Sequence, residues 1–217
     1  MGSVGSGGNS KSTVTLYGKE YELPEKLEYS KHKTRISKRL REFEDKRRNS
    51  KIEYANVIDE NGLSISGDVR GGKGKVHVNT LDLTRGSEYS HIHPESEDGV
   101  LGGTFSVADI KSFSGYNNLK FIRAVAQEGT YTFSKDRLYN LRKRQLFTDY
   151  GNVIKESYNT ASKVIDSLGL EYEVGNISYE KYIKGYRDAI NTQLLTLHKW
   201  LLQNQKKYAY KYRLEEA

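Results

Sequence analysis

Between residues 51 and 134 the chain is divided into short apolar runs separated by turn-forming residues. These runs are IEYANVID, LSISGDV, VHVNTLDL, SEYSHIH, LKFIRAVAQ and EGTYTFS. Alternation of apolar and polar residues with a period of two predicts β-strands, and the Gly- and Asn-containing segments between them predict turns. Asn61-Gly62 is a strong hairpin signal. With a short helix predicted near Ser106, this region is expected to form a compact α/β core.

Beyond the last predicted strand, long helical patterns replace the alternation. One helix, or a broken pair of helices, is predicted from residue 135 to about 168, with Gly169 as its C-terminal cap. A second helix is predicted after Ser178, where leucines recur on a helical period. His198 lies among these leucines and is interpreted as a packing or surface histidine. These helices are expected to contact each other or the core, or to form an interface with a second copy or another partner.

The N-terminal 50 residues contain three segments with different sequence patterns. Residues 1–12 are rich in Gly and Ser and predict a flexible tail or a remnant of cloning. The segment TVTLYGKEYELP predicts a short hairpin. Residues 31–51 carry ten Lys or Arg against three acidic residues and predict a basic helix with an apolar stripe of Ile36, Leu40 and Phe43. Its charged side chains are expected to face solvent, with a phosphate-binding surface as the alternative.

Composition limits the chemistry that the chain can perform. There is no cysteine among its 217 residues, so any metal must be held by His, Asp, Glu and water. The formal charge of +7 favours contact with nucleic acid, acidic protein or anionic membrane surfaces. Its apolar runs are too short or too interrupted to span a bilayer, and residues 1–12 lack the apolar segment of a signal peptide. We therefore expect a cytoplasmic protein.

Two of the five histidines, His91 and His93, are two positions apart in the predicted strand SEYSHIH. A strand directs residues i and i+2 to the same face, so both imidazoles can reach one ion. A catalytic zinc site generally uses three protein ligands and leaves a fourth position open. Asp109, in the first turn of the following helix, is the candidate for the third ligand. The alternative is that Ser106 and Asp109 form only a helix cap, because Ser-x-x-Asp is close to a capping box.

An acidic residue in an earlier strand adds to this pattern. In IEYANVID the alternation places Glu53 on the same face as Ala55 and Val57, which is unusual for an inward-facing position. A carboxylate there can take a proton from metal-bound water and deliver it to a leaving amine. His77, in VHVNT, is instead interpreted as a structural strand residue.

This order of Glu, His-x-His-Pro and Ser-x-x-Asp resembles the signature of the JAMM (MPN-type) zinc metalloproteases. The resemblance covers about residues 51–134 and is greatest to the JAMM-like domains associated with bacteriophage proteins, in which His-x-His-Pro leads into Phe-Ser-x-x-Asp-Ile. It implies a JAMM-like mixed β-sheet core flanked by helices at 51–134. The predicted hairpin and basic helix at 13–50 precede this core, and the predicted helical extension at 135–217 follows it. The resemblance further implies the following site: His91, His93 and Asp109 bind zinc, Glu53 is the general acid/base, and Ser106 helps to hold the oxyanion.

The resemblance implies a hydrolase, namely a zinc-dependent peptidase or isopeptidase acting on a peptide or a ubiquitin-like conjugate. In a phage context such a protein would act in the host cytoplasm or on the virion. The chain departs from the family in the twelve residues between His93 and Ser106, where a shorter connection is usual. This loop is expected to be a lid or substrate loop, or to accompany a site that has lost catalysis. Its acidic residues Glu95, Glu97 and Asp98 are expected to be exposed.

Two other functions are kept as alternatives. The first is a non-catalytic structural or adaptor module that acts through the helical extension, for example in phage assembly or host interaction. The second is nucleic-acid binding through cations of the basic helix, and it can coexist with the peptidase. The residues proposed for it are Lys38, Arg39, Arg41, Lys46, Arg47 and Arg48.

Overall fold

The structure is a computed structural model that describes residues 12–94 and 99–217. The described residues form a mixed α/β fold, as predicted. In chain order the elements are β1 (Ser12–Leu16), β2 (Lys19–Leu23), α1 (Lys38–Arg47), β3 (Tyr54–Ile58), β4 (Val69–Arg70), α2 (Thr80–Arg85), β5 (Glu88–Ile92), α3 (Val107–Ser114), β6 (Phe121–Ala126), β7 (Gly129–Lys135), α4 (Tyr139–Glu173), α5 (Tyr179–Gln203), α6 (Gln205–Tyr208) and β8 (Tyr210–Glu215). The predicted tail up to residue 11, and the acidic residues Glu95, Glu97 and Asp98, lie outside the described residues.

Six strands form one sheet in the order β4-β3-β5-β6-β7-β8. The pair β5–β6 is parallel, and the other neighbours are antiparallel. Parallel neighbours need a crossover connection, and here the loop after His93 and helix α3 provide it. Because the chain leaves β5 at its carboxyl end and α3 runs back along the sheet, α3 begins near the edge where β5 ends. This connection brings Asp109 towards His93.

Helices cover both faces of the sheet. On one face α1 contacts a cluster formed by Leu40, Phe43, Ile58, Ile92, Phe121 and Val125, with Ile36 beside it. The larger core lies on the other face, under α3, α4 and α5. Leu40 and Phe43 of the predicted apolar stripe are therefore confirmed on the helix, whereas Ile36 precedes it. The predicted extent of the basic helix is wrong, because α1 begins only at Lys38, after its N-cap Ser37, whose hydroxyl accepts a hydrogen bond from the Leu40 N–H at 3.2 Å.

The predicted hairpin of residues 13–24 is confirmed as β1 and β2, whose register pairs Leu16 with Lys19. The turn at Asn61-Gly62 is also confirmed, since an antiparallel bridge joins Ile58 to Ser64 across it. The predicted strand VHVNTLDL is wrong. Residues 75–79 form no regular element, and α2 follows because the Asn79 side chain caps it by accepting a hydrogen bond from the Leu81 N–H at 2.9 Å.

Helix α4 continues through Gly169 to Glu173, so the predicted cap at Gly169 is wrong. One interior glycine costs a helix only about 1 kcal/mol, which tertiary contacts can offset. Leu168 makes such a contact, because its side chain lies against Gly185 of α5. The chain reverses instead at Gly175, which has a φ of 77°. Helices α4 and α5 thus form a long hairpin, called the helical hairpin below.

The region predicted to be only helical ends in a strand. Strand β8 pairs antiparallel with β7 along its whole length, and Tyr210, Tyr212 and Leu214 are buried on the side of the larger core. The sheet that holds the candidate site therefore includes residues from both sides of the predicted boundary at 135. No helix in the described part of the chain is long and apolar enough to cross a membrane.

Candidate metal centre

The two histidines of the His-x-His motif meet at the carboxyl end of β5. His91 is buried and pairs in register with Ala55 of β3. His93 lies just beyond the strand, and its N–H donates to the Val125 carbonyl at 2.8 Å. The Nε2 atoms of the two histidines are 3.1 Å apart. A tetrahedral zinc ion with Zn–N bonds of about 2.0–2.1 Å requires an N···N distance of roughly 3.3–3.4 Å, so the observed spacing suits two ligands of one ion.

Asp109 supplies the third donor and caps α3 at the same time. Its Oδ2 accepts hydrogen bonds from the Ser106 N–H at 2.8 Å and from the Ser106 hydroxyl at 2.7 Å. Its Oδ1 lies 3.7 Å from His91 Nε2. The cap and the ligand interpretation are therefore compatible, because each uses a different carboxylate oxygen. One donor atom from each of His91, His93 and Asp109 lies within 4.8 Å of the others, and the group can hold a metal ion.

Backbone carbonyls fix the orientation of His93. Its Nδ1 lies 3.2 Å from the Gly102 carbonyl and 2.9 Å from the Gly103 carbonyl. Since carbonyl oxygens only accept, Nδ1 carries the proton and Nε2 keeps its lone pair for a metal. A hydrogen bond from the second ring nitrogen is the usual way in which proteins orient a histidine ligand.

Burial and charge also favour metal binding. Burial lowers the pKa of His91 to about 4, although the nearby Asp109 charge opposes this shift. The imidazole is therefore neutral at pH 7, which is the form that binds metals. Burial alone would raise the pKa of Asp109, but His91, His93 and the hydrogen bonds from Ser106 lower it overall. Asp109 is accordingly an anion at neutral pH.

Glu53 lies on the same wall of the site, immediately before β3. Its backbone N–H donates to the Gly72 carbonyl at 2.7 Å, which extends the pairing of β3 with the β4 segment. Since Ala55 pairs with His91, two further residues along each antiparallel strand place Glu53 opposite His93. Burial raises the pKa of Glu53, an effect that the His93 charge opposes. A carboxyl group with a raised pKa is suited to exchange protons near neutral pH.

These residues surround an open cavity of about 590 Å³. All five residues expected at the site line it, namely Glu53, His91, His93, Ser106 and Asp109. His77 lines it as well, so its interpretation as a structural strand residue is wrong. The Asn79 cap ends the extended run there and leaves residues 73–77 as an irregular segment along the cavity. Sequence reasoning also missed Lys73 and Lys75 on this wall; the flanking glycines 71, 72 and 74 were the available signal.

Some of the cations proposed for nucleic-acid binding make contacts within the protein, and others are exposed. Arg48 points inward and donates to the Ala126 carbonyl at 2.8 Å and to the Thr130 hydroxyl at 3.1 Å. Arg47 forms an ion pair with Asp68 at 3.0 Å. Lys38 lies 3.8 Å from Glu42, and both are exposed. Internal contacts thus engage Arg47 and Arg48, and phosphate binding by the remaining cations stays a prediction.

Comparison of the chain with models of protein families, with curated proteins and with solved structures finds no match.

Proposed function

We propose that the protein is a zinc-dependent peptidase or isopeptidase of the JAMM type. The observation that carries this proposal is the convergence of two imidazole nitrogens 3.1 Å apart with a carboxylate oxygen 3.7 Å from one of them. Two histidines and one carboxylate are a ligand set used by catalytic zinc, and the open cavity leaves room for water and substrate. When bound, zinc would acidify a water molecule and polarise the scissile carbonyl.

The chain's own residues then have separate tasks. Glu53 accepts the proton of the attacking water and later delivers it to the leaving amine; its raised pKa supports both steps. Ser106 lies on the cavity wall with its hydroxyl hydrogen bonded to Asp109, and rotation of this hydroxyl would direct it to the developing oxyanion. The Gly102 and Gly103 carbonyls hold His93 in the tautomer that leaves Nε2 free.

Metal analysis tests whether the protein binds zinc at the proposed centre. We expect about one zinc per chain after purification in zinc-containing buffer, and loss of that zinc in His91→Ala. Only trace zinc in the wild type, or equal zinc in His91→Ala, would refute the metal centre.

The proposed peptidase activity is tested with Glu53→Gln, since this carboxylate is proposed as a proton carrier and not as a metal ligand. Zinc-loaded wild type, Glu53→Gln and the control Glu60→Gln, which changes an exposed loop residue, would be incubated with a mixed peptide library and with ubiquitin-like fusion proteins. Cleavage mapped by mass spectrometry is expected for the wild type and for the control. Glu53→Gln should retain zinc and lose turnover by at least about a hundredfold, as for a general base. Unchanged turnover in Glu53→Gln would contradict its role.

A partner-binding role through the helical hairpin is the second candidate. Large apolar side chains are exposed near its turn, with Leu170 at 64% and Val174 at 69% exposure. Exposed apolar groups of this kind often mark contact surfaces. Sedimentation at increasing concentration tests contact between copies: the wild type should associate, and Leu170→Glu should remain monomeric. A monomeric wild type at every concentration would reject the homo-oligomer.

A further inference from the structure

The lengthened connection between β5 and α3 is firmly attached to the rest of the molecule along residues 99–105. Two buried side chains from distant parts of the chain hold it. Asn191 of α5, which is fully buried, accepts a hydrogen bond from the Leu101 N–H at 2.9 Å and donates one to the Gly99 carbonyl at 3.0 Å. Glu128, from the turn between β6 and β7, accepts hydrogen bonds from the Gly102 N–H at 3.0 Å and the Gly103 N–H at 2.9 Å.

The contacts to Glu128 lead directly to a proposed metal ligand. The Gly103 N–H and the Gly102 carbonyl belong to one peptide group. Glu128 accepts a hydrogen bond from the N–H of this peptide group, and the carbonyl oxygen of the same group lies 3.2 Å from His93 Nδ1. A single planar peptide therefore connects the Glu128 carboxylate to the His93 imidazole. Hydrogen bonds in such a chain polarise one another, so the carboxylate increases the basicity of His93 Nε2 as well as fixing the ring.

Neighbouring atoms leave room only for glycine at both positions. A Cβ on Gly102 would lie 2.7 Å from the Ala126 Cβ, and one on Gly103 would lie 2.7 Å from a Leu194 methyl group. Gly103 also has a φ of 79°, which favours glycine. Residues 102 and 103 therefore lie close against β6 and α5, at positions where a larger residue would not fit.

We propose that Glu128 and Asn191 are positioning residues for the metal centre, and that they act on His93 through residues 99–105. The inference depends on the metal centre proposed above. It makes α5 a part of the site, although no α5 side chain is proposed as a ligand.

The test is metal affinity, measured by titrating metal-free protein with Co²⁺ and following the visible absorption, with zinc competition as a second readout. Asn191→Ala and Glu128→Gln are expected to bind metal about ten- to a hundredfold more weakly than the wild type, the usual effect of removing a group that orients a ligand. The Co²⁺ spectrum should also change, because a released His93 alters the coordination.

Asn118→Ala is the matched control. Asn118 also holds a loop by donating to two carbonyls, those of Leu83 at 2.7 Å and Gly86 at 2.5 Å, but its loop carries no proposed ligand. It should lower the unfolding free energy of the metal-free protein as Asn191→Ala does, with metal affinity and Co²⁺ spectrum unchanged.

The outcomes separate the two proposals. If the wild type binds neither metal, the metal centre and this inference are both overturned. If the wild type binds metal and both Asn191→Ala and Glu128→Gln match its affinity and spectrum, the inference alone is overturned. Equal weakening in Asn118→Ala would also overturn it, because the effect would then follow from general destabilisation.

Discussion

The two faces of the central sheet each carry a polar cluster, and the two clusters differ in how their polar atoms are paired. On the α1 face, Arg123 lies between Glu44, at 2.7 Å, and Glu215, at 3.0 Å; these three residues form the ionic cluster. The Ser90 hydroxyl also donates to Glu44. Each carboxylate there has a cation and each guanidinium nitrogen has an acceptor. The ionic cluster is complete without a ligand.

On the opposite face, His91, the neighbour of Ser90, belongs to the metal-site cluster of His91, His93 and Asp109. There two ring nitrogens face each other at 3.1 Å, with an anionic oxygen beside them. One His91 tautomer would place a proton between the two nitrogens, and the other leaves both lone pairs free to bind an ion. Adjacent residues of one strand thus belong to different clusters: the ionic cluster ties elements of the fold together, and the metal-site cluster can hold a metal ion.

The largest effect is expected from breaking the ionic cluster. Arg123→Met leaves two buried carboxylates without their cation and should lower the free energy of unfolding by about 3–5 kcal/mol. Urea denaturation measures this change. Arg47→Met, which removes a more exposed pair with Asp68, is the control and should cost less than about 1 kcal/mol. Similar losses in both variants would show that the ionic cluster is no more important than a surface pair.

Acid should destabilise the metal-free protein through two buried histidines, of which His91 belongs to the metal-site cluster. Burial lowers the pKa of His91, and that of His198, to about 4 each. In the unfolded chain the histidine pKa is about 6.5, so between pH 6.5 and 4 the unfolded chain binds more protons than the folded protein does. The free energy of unfolding therefore falls as the pH drops from about 6.5 to 4. At the acid end of this range, each histidine lowers the free energy of unfolding by about 3 kcal/mol.

Glu215 of the ionic cluster should respond only at lower pH. Burial would raise the pKa of Glu215, but Arg123 and Thr34 lower it overall below its ordinary value. The stability that ionised Glu215 contributes is fully present above about pH 4.5. It is lost as the pH falls through the lowered pKa of Glu215. Urea denaturation at pH 7, 5.5 and 4.5 tests the order, and a stability that is the same at all three values would contradict it.

Zinc should stabilise the metal-site cluster alone. At a free zinc concentration one hundred times the dissociation constant, the free energy of unfolding should rise by about 2.7 kcal/mol. Thermal unfolding with and without zinc measures the change. Arg123→Met should gain as much from zinc as the wild type does, whereas His91→Ala should gain nothing. An equal gain in His91→Ala would place the zinc elsewhere.

The smallest expected effect concerns the helix cap that adjoins the metal-site cluster. Ser106→Ala should cost about 1 kcal/mol of stability through loss of the cap. It should also weaken zinc binding, because Asp109 loses one hydrogen bond that orients it. Ser178→Ala, which removes the equivalent cap of α5, should cost a similar stability and leave zinc affinity unchanged. Unchanged affinity in Ser106→Ala would mean that the cap does not orient the ligand.

Local patterns were sufficient to predict much of the metal-site cluster. The two-residue spacing of His91 and His93, and the alternation that exposes Glu53 to the same face, are properties of a strand and are visible in the sequence. The cap at Ser106 was equally visible. The Glu128 and Asn191 contacts were not, because they join residues 25 to 92 positions apart and depend on how the helical hairpin contacts the sheet.

The errors in the predicted fold have similar causes. The run VHVNTLDL contains both an apolar alternation and an Asn cap, and the cap determined the structure. Strand β8 was missed because its six residues follow a long helical pattern and become a strand only by pairing with the free edge of β7. The ionic cluster was also invisible, since Glu44 and Glu215 come from opposite ends of the chain.

The late position of β8 has a consequence for synthesis on the ribosome. Residues 136–209 must be translated after β7 and before β8, which takes roughly 4–15 s at about 5–20 residues per second. During this interval β7 is an unpaired edge strand, and Arg123 lacks one of its two carboxylate partners. Unpaired edges are sites of aggregation. The nascent chain should therefore depend most on chaperones after β7 has emerged, and release from them should coincide with the arrival of Glu215.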